Sequence, residues 1–125
     1  LFFPSSLFQA SFKRDFQTFK VNFISACGAE TTTAGLVSAS LPYSVSGGSK
    51  CFVGGATAYT TKSWRVWGGW TDENVVSYHG PTPELVTELA TNVRERMDVA
   101  YCIGEWGAAG PTVLGLPIVH IVGQT

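Results

Sequence analysis

Residues 28–36 carry the residue types most suited to chemistry, and they directly follow an apolar stretch that ends at Cys27. Three consecutive threonines, Thr31, Thr32 and Thr33, lie in this run. An apolar strand, a polar turn and a helix start form a typical anion site, because the first N–H groups of a helix lack intrahelical partners and the helix dipole is positive there. The sequence therefore predicts a pocket for a phosphate or for the oxyanion of an acyl transfer.

Two small residues, Ala34 and Gly35, follow the threonines and would let a ligand approach the backbone closely. A plain N-capping cluster is the alternative interpretation of the threonines, and it stays open at this point. A second glycine-bearing turn over residues 107–111, with Ala108 and Gly110, favours a ligand site. We expect both turns to meet beyond the carboxyl ends of the strands.

The clearest helix signal lies in the second half of the chain. Thr82 is a good N-cap, Pro83 suits the first helical position, and Glu84 places an acid in the first turn. Apolar residues then recur on one face as far as Met97. These features predict a helix over residues 82–97.

Hydrophobic periodicity predicts an alternation of strands and helices around this element. The pattern indicates an α/β fold, a three-layer α/β/α single domain with a mixed or mostly parallel sheet. Residues 1–20 are expected to form an N-terminal segment with a short helix, and residues 21–125 the domain. The predicted strands cover 21–27, 51–60, 100–104 and 116–122, and the other helices cover 9–19, 33–41 (ended by Pro42) and 62–67.

Composition excludes several functional classes. The 125-residue chain has a formal net charge of −1, so it lacks the basic footprint of proteins that bind nucleic acid or anionic membranes. Its apolar runs are too short to span a membrane, and no cluster of metal ligands is evident. Cys27, Cys51 and Cys102 are an odd, widely spaced set in apolar sequence. Such cysteines are typical of reduced core thiols, which predicts a cytoplasmic protein.

Four segments together resemble the CinA C-terminal domain family, which includes bacterial nicotinamide mononucleotide deamidases. Residues 29–36 resemble the family signature Ala-Glu-Ser-Cys-Thr-Gly-Gly-Leu, and residues 54–60, 79–84 and 107–111 are similar to three further family segments. The order and spacing of these segments agree with the family pattern from residue 21 to residue 122. Their amino-acid sequences are most similar to those of fungal-type members. The family normally continues past the last predicted strand, so we expect the C-terminus to be incomplete.

The resemblance implies hydrolysis of the amide of a nicotinamide nucleotide, which gives the acid and ammonia without a cofactor or metal. It implies that Thr31, in place of the family serine, is the nucleophile and that Tyr59 assists. A hydroxyl nucleophile needs a neighbouring proton acceptor, because a free hydroxyl reacts poorly near neutral pH. The nucleotide-binding positions implied by the resemblance are Thr32, Thr33, Ala34, Gly35, Lys62, Gly107, Ala108 and Gly110.

Three positions depart from the family pattern. Thr31 adds a methyl group to the nucleophile, Trp64 stands where the family has a lysine, and Trp106 stands where it has a small hydroxyl residue. An indole N–H donates a hydrogen bond but cannot act as a base. Lys62 substitutes for the missing lysine only if its segment is extended, because residues two apart in a helix point away from each other.

Three hypotheses follow from these departures. The first is an amidohydrolase of a nicotinamide nucleotide, and the second is a non-catalytic homologue that keeps the nucleotide pocket. The third is a homo-oligomer or a building block of a larger assembly, suggested by the aromatic N-terminus and by tryptophans at three-residue spacing from Trp64 to Trp70. Glu30 is assigned a structural role, as a buried acid or as a partner for a backbone amide.

Overall fold

A computed structural model describes residues 25–44, 46–107 and 118–123. Four strands form one sheet in the spatial order β2-β1-β3-β4. Strand β1 is parallel to both β2 and β3, whereas β4 is antiparallel to β3. The sheet is therefore mixed and mostly parallel, as predicted. The strands are β1 (Ala26–Glu30), β2 (Phe52–Thr57), β3 (Tyr101–Trp106) and β4 (Ile118–Gly123).

Helices cover both faces of this sheet. Four α-helices are described, namely α1 (Leu36–Ser44), α2 (Thr61–Gly68), α3 (Asp72–Ser77) and α4 (Pro83–Met97). Alternate strand residues point to opposite faces. Ala26 of β1 packs with Val37 and Leu41 of α1, whereas the next residue, Cys27, packs with Val86 of α4 and its neighbours. The predicted three-layer α/β/α architecture is confirmed.

Side-chain caps fix the starts of three helices. Thr60 and Ser63 form a reciprocal capping box at α2, and Thr71 and Asn74 form another at α3. The hydroxyl of Thr82 accepts the N–H of Leu85 at the start of α4, with Pro83 in the first turn. The predicted helix over 82–97 is confirmed, because local capping signals suffice to determine where it begins.

The first strand and first helix differ from their predicted bounds. Residues 21–24 lie outside the described residues, and β1 runs on to Glu30, so the polar run begins within the strand. Helix α1 begins at Leu36 rather than at Thr33, and it continues through Pro42. The fully buried Leu41 packs this last turn against the sheet, which offsets the hydrogen bond that a proline cannot donate.

Other bounds also shift. Strand β2 ends at Thr57, three residues before the predicted end, and β3 extends to Trp106 rather than to Gly104. Helix α3 was not predicted, because it has six residues and no buried side chain to produce a hydrophobic period. The predicted helix over 9–19 and most of the turn over 107–111 lie outside the described residues. Every helix that the structure describes falls short of the length and apolar character that a membrane span requires.

Candidate functional site

Two buried carboxyl groups lie side by side at the carboxyl ends of the central strands. The parallel register of β1 and β3 pairs Glu30 with Glu105, and their relative exposures are only 0% and 1%. Ile103, two residues before Glu105, packs with α1, so this carboxyl group points to the α1 face of the sheet. Burial of such groups is costly unless hydrogen bonds satisfy them, so their partners decide what the site can do.

The three threonines supply the partners of Glu105. The N–H groups of Thr31 and Thr33 donate to its Oε2 at 3.1 and 3.2 Å, and the Thr33 hydroxyl donates to the same oxygen at 2.9 Å. The hydroxyl of Thr32 donates to the other oxygen, Oε1. Glu105 therefore occupies the turn that the sequence suggested for an external anion.

Glu30 binds the first turn of α1. Its Oε1 accepts the N–H of Ser38 at 2.7 Å, and its Oε2 accepts the N–H of Val37 at 3.0 Å. The Oγ1 of Thr33 also lies within hydrogen-bond distance of Oε2 of Glu30, so its one hydroxyl proton is shared between the two carboxyl groups. A carboxylate at a helix N-terminus is favoured by the unpaired amides and by the helix dipole. The structural role predicted for Glu30 agrees with these contacts.

The predicted nucleophile and its neighbour have different environments. Thr31 is 3% exposed, and its Oγ1 makes no hydrogen bond to any described residue. Thr32 is half-buried, and its hydroxyl donates to Glu105. Only Thr32 of these two thus pairs a hydroxyl oxygen with a potential proton acceptor.

The turn between β1 and α1 requires unusual backbone conformations. Ala34 and Gly35 have positive φ angles of 52° and 98°. At Gly35 this conformation is strained for any other residue, and an added Cβ would lie 3.3 Å from Oγ1 of Thr57. The turn therefore fits closely against the end of β2.

Tyr59 and Lys62 lie at the solvent edge beyond β2. Tyr59 is 61% exposed, and Lys62 is exposed in the first turn of α2. Because this segment is helical, Lys62 and Trp64 point in different directions. The alternative in which Lys62 takes over the family lysine position through an extended segment is therefore wrong.

Aromatic side chains pack together at the same end of the sheet, on the α4 face. The aromatic cluster comprises Trp64, Trp70, Tyr78 and Trp106, with ring centroids 4.9–6.0 Å apart. Trp64 Nε1 donates to the carbonyl oxygen of Ala58 at 2.6 Å, and Trp106 Nε1 donates to the Tyr78 hydroxyl at 3.1 Å. Indole rings thus fill the space beside the ends of β1 and β3.

A cavity of about 520 Å³ lies next to the aromatic cluster, between α3 and the start of α4. None of the predicted site residues lines it. Gly107 is buried directly after β3, and Ala108 and Gly110 lie outside the described residues. Among those described, no group of three or more His, Cys, Asp or Glu side chains is arranged to hold a metal ion. The cavity beside the aromatic cluster is lined by Trp70, Asn74, Ser77, Tyr78, His79, Gly80, Pro81, Thr82 and Leu85.

The structure brings together only part of the predicted site. Residues 31–35 form one turn around Glu105, whereas Tyr59 and Lys62 are exposed beyond β2. Sequence reasoning missed Glu105, because nothing local marks it. The available signal for the site is that each central strand ends in a Glu, Glu30 in β1 and Glu105 near the end of β3. This signal can be recognised only once the register of β1 and β3 is known.

The chain is similar in sequence to curated CinA-like proteins. A CinA-like protein of Acidobacterium capsulatum is 34% identical over 83 residues, which are 66% of this chain and 20% of that protein. One of Prochlorococcus marinus is 30% identical over 101 residues, or 76% of this chain and 24% of that protein. The chain thus spans about a fifth to a quarter of these curated relatives.

Solved structures show the likeness in three dimensions. A competence/damage inducible protein, CihA, from Agrobacterium tumefaciens has a TM-score of 0.72 at 22% identity, covering 97% of this chain and 74% of that one. A competence-damaged protein (CinA) superfamily protein from Escherichia coli has a TM-score of 0.67 at 18% identity, covering 87% and 72%. At these identities the likeness shows the fold alone.

The family model named CinA C-terminal domain matches residues 17–117, most of the chain. The similarity to fungal-type members stays a prediction, because the relatives named above are bacterial. The chain belongs to the CinA C-terminal domain family.

Proposed function

We propose that this chain hydrolyses the amide of a nicotinamide nucleotide, with Thr32 as the nucleophile and Glu105 as the general base. Family membership supports the substrate class, through the resemblance to nicotinamide mononucleotide deamidases. The hydrogen bond from Thr32 Oγ1 to Glu105 Oε1 carries the proposal, because it supplies the acceptor that Thr31 lacks.

The remaining contacts of Glu105 suit this role. Three donors on Oε2, from Thr31 and Thr33, hold the carboxylate in place and leave Oε1 for the Thr32 proton. In the proposed reaction, Thr32 Oγ1 attacks the amide carbon while its proton passes to Glu105. The leaving nitrogen takes up that proton and departs as ammonia, leaving an ester on Thr32. Glu105 then takes a proton from water, the hydroxide attacks the ester carbon, and the bond to Thr32 Oγ1 breaks; Thr32 Oγ1 recovers the proton from Glu105 and the acid leaves.

Ammonia release from nicotinamide mononucleotide tests this proposal. We expect release from the unaltered chain, its loss in Thr32→Val, and its retention in Thr31→Val, the matched control that removes the neighbouring hydroxyl. Far-ultraviolet circular dichroism and thermal unfolding establish that both variants fold. Ammonia release no higher than a protein-free blank at high protein concentration contradicts the proposal, and so does loss of activity in Thr31→Val alone.

A second candidate function is a non-catalytic homologue that binds the nucleotide. The observation favouring it is the packing of Trp64 into the aromatic cluster, at the position where the family has a lysine. Isothermal titration calorimetry would then show binding without turnover, weakened by Gly35→Val at the tight turn. Turnover of the nucleotide, or absence of measurable heat, contradicts this candidate.

A cytoplasmic location and assembly into a homo-oligomer or a larger complex are also proposals. The described part of the chain holds three free, buried cysteines, which supports a reducing compartment. Val66 of α2 and Val76 of α3 are exposed apolar side chains that a contact with another chain could cover. Analytical ultracentrifugation tests the assembly, and a stable monomer at micromolar concentration contradicts it.

A further inference from the structure

Two cysteines lie directly beside each other in the centre of the sheet. Cys27 of β1 and Cys102 of β3 are register partners, and both are fully buried in the core cluster beneath α4. Adjacent strands are about 4.8 Å apart, and side chains paired in this way share one face. A Cα separation of about 4.4–6.8 Å permits a disulfide, so the spacing suits one.

The two thiols have unequal electrostatic environments. A hydrogen bond from the Cys102 thiol lowers the pKa of Cys27, and the nearby positive charge of Arg94 lowers it further. The same hydrogen bond and burial raise the pKa of Cys102. Cys27 is therefore the more acidic thiol of the pair.

Arg94 is the charged side chain that acts on this pair. Its side chain is only 14% exposed, and its Nε is buried without a hydrogen-bond partner among the described residues. Its Nη1 donates to the carbonyl oxygen of Val99 at 3.4 Å, which holds the side chain over the end of α4. Its Nη2 also lies 3.6 Å from Oε1 of Glu95, so the Arg94 charge acts on that carboxylate as well as on the buried sulfur of Cys27.

We infer that Cys27 and Cys102 form a peroxide-oxidisable dithiol that closes to a disulfide between β1 and β3. The Cys27 thiolate attacks one oxygen of hydrogen peroxide, the O–O bond breaks, and the second oxygen leaves as water after protonation. The sulfur of Cys102 then attacks the resulting sulfenic acid, its proton leaves with the hydroxyl group as a second water, and the S–S bond forms. The two thiols lose two electrons in total, which reduce the peroxide.

The third cysteine provides a matched internal control. Cys51 is also buried, but it belongs to the cluster on the opposite face of the sheet, with Ala26 and Leu41. Its Sγ donates to the carbonyl oxygen of Gly48 at 3.4 Å rather than to another sulfur. Cys51 is as buried as Cys27 and Cys102 but has no second cysteine beside it among the described residues. It should therefore remain a thiol.

Peptide mapping after peroxide treatment tests the inference. Trypsin places the three cysteines on different peptides, residues 21–50, 51–62 and 97–125. The treated chain is unfolded, its free thiols are alkylated, and the digest is analysed by mass spectrometry without reduction. We expect a cross-linked species of 21–50 with 97–125, lighter than the sum of its parts by two hydrogen atoms, and an alkylated 51–62.

Two variants sharpen the result. Cys51→Ala should retain the cross-link, whereas Cys102→Ala should remove it and leave a sulfenic acid at Cys27 that dimedone traps. Alkylation of Cys27 and Cys102 as complete as in untreated protein overturns the inference, and so do cross-links that include Cys51 as often as the pair. Circular dichroism before treatment establishes that each variant is folded.

Discussion

The indole rings of Trp64 and Trp106 pack against each other, with centroids 4.9 Å apart and planes tilted by 47°. Trp64 and Trp106 stand at two of the three positions where the chain departs from the family pattern. The two replacing residues therefore contact each other. The Trp64 indole N–H is already bonded to the carbonyl oxygen of Ala58. The position where the family has a lysine thus contributes packing here and cannot supply a base.

The two tryptophans should be energetically coupled. We expect Trp106→Ala, which empties a fully buried site, to destabilise the chain by about 3–5 kcal/mol. The coupling free energy between Trp64→Ala and Trp106→Ala should be about 0.5–1.5 kcal/mol. Urea unfolding of a double-mutant cycle measures both quantities. Trp67→Ala is the control, because Trp67 lies outside the aromatic cluster; strictly additive effects of Trp64 and Trp106 would contradict the coupling.

Replacing Glu105 by Gln should destabilise the fold. The Gln amide has one acceptor oxygen and a donor nitrogen, whereas both Glu105 oxygens accept hydrogen bonds from threonines. The Gln oxygen can replace Oε2 and its nitrogen can donate to the Thr32 hydroxyl, but a neutral amide makes weaker hydrogen bonds than a carboxylate, with an expected loss of about 1–3 kcal/mol. Chemical denaturation measures it, and Glu88→Gln on the exposed face of α4 is the control. Equal stability of Glu105→Gln and the unaltered chain would show that the threonines do not need the carboxylate.

Gly104→Ala should be destabilising, because β3 and α4 approach closely there. An added Cβ would lie 2.9 Å from Cβ of Ala90 and 3.1 Å from the carbonyl oxygen of Val86. Shifting the helix should cost about 1–3 kcal/mol. The matched control is Gly54→Ala in β2, where the nearest atom is 4.0 Å away on Met97. Thermal unfolding compares the two, and a larger loss for Gly54→Ala would contradict the packing.

The N-cap of α4 should show in the titration of Glu84. Its own backbone N–H and the Thr82 hydroxyl lower the pKa of this carboxyl group, so its ionised form stabilises the folded state. That contribution is complete above the unfolded pKa and is lost as the pH falls through the folded pKa. Thr82→Ala should raise the pKa of Glu84 and remove about 1 kcal/mol of cap stability. Carbon-detected NMR titration measures the pKa of Glu84. An unchanged pKa in Thr82→Ala would exclude the contact between Thr82 and Glu84. Thr91→Ala, which removes a threonine hydroxyl elsewhere on α4, is the control.

Local pattern was sufficient for much of the architecture. The caps of α4, the alternation of strands and helices, and the four family segments predict a three-layer α/β domain of the CinA C-terminal type. Thr82 and Pro83 act within one turn of the helix they begin, so their effect is visible in a short window of sequence. The same locality explains why α3, without a buried face, was missed.

Tertiary structure alone decided which side chains of the candidate site meet. The threonine run predicted a donor-rich turn, but the register of β1 and β3 decided that Glu105 fills it and that Thr32 rather than Thr31 has an acceptor. The same register placed Cys27 beside Cys102. Sequence separation carries no information about which residues become neighbours across parallel strands, because the intervening helices set that alignment through packing.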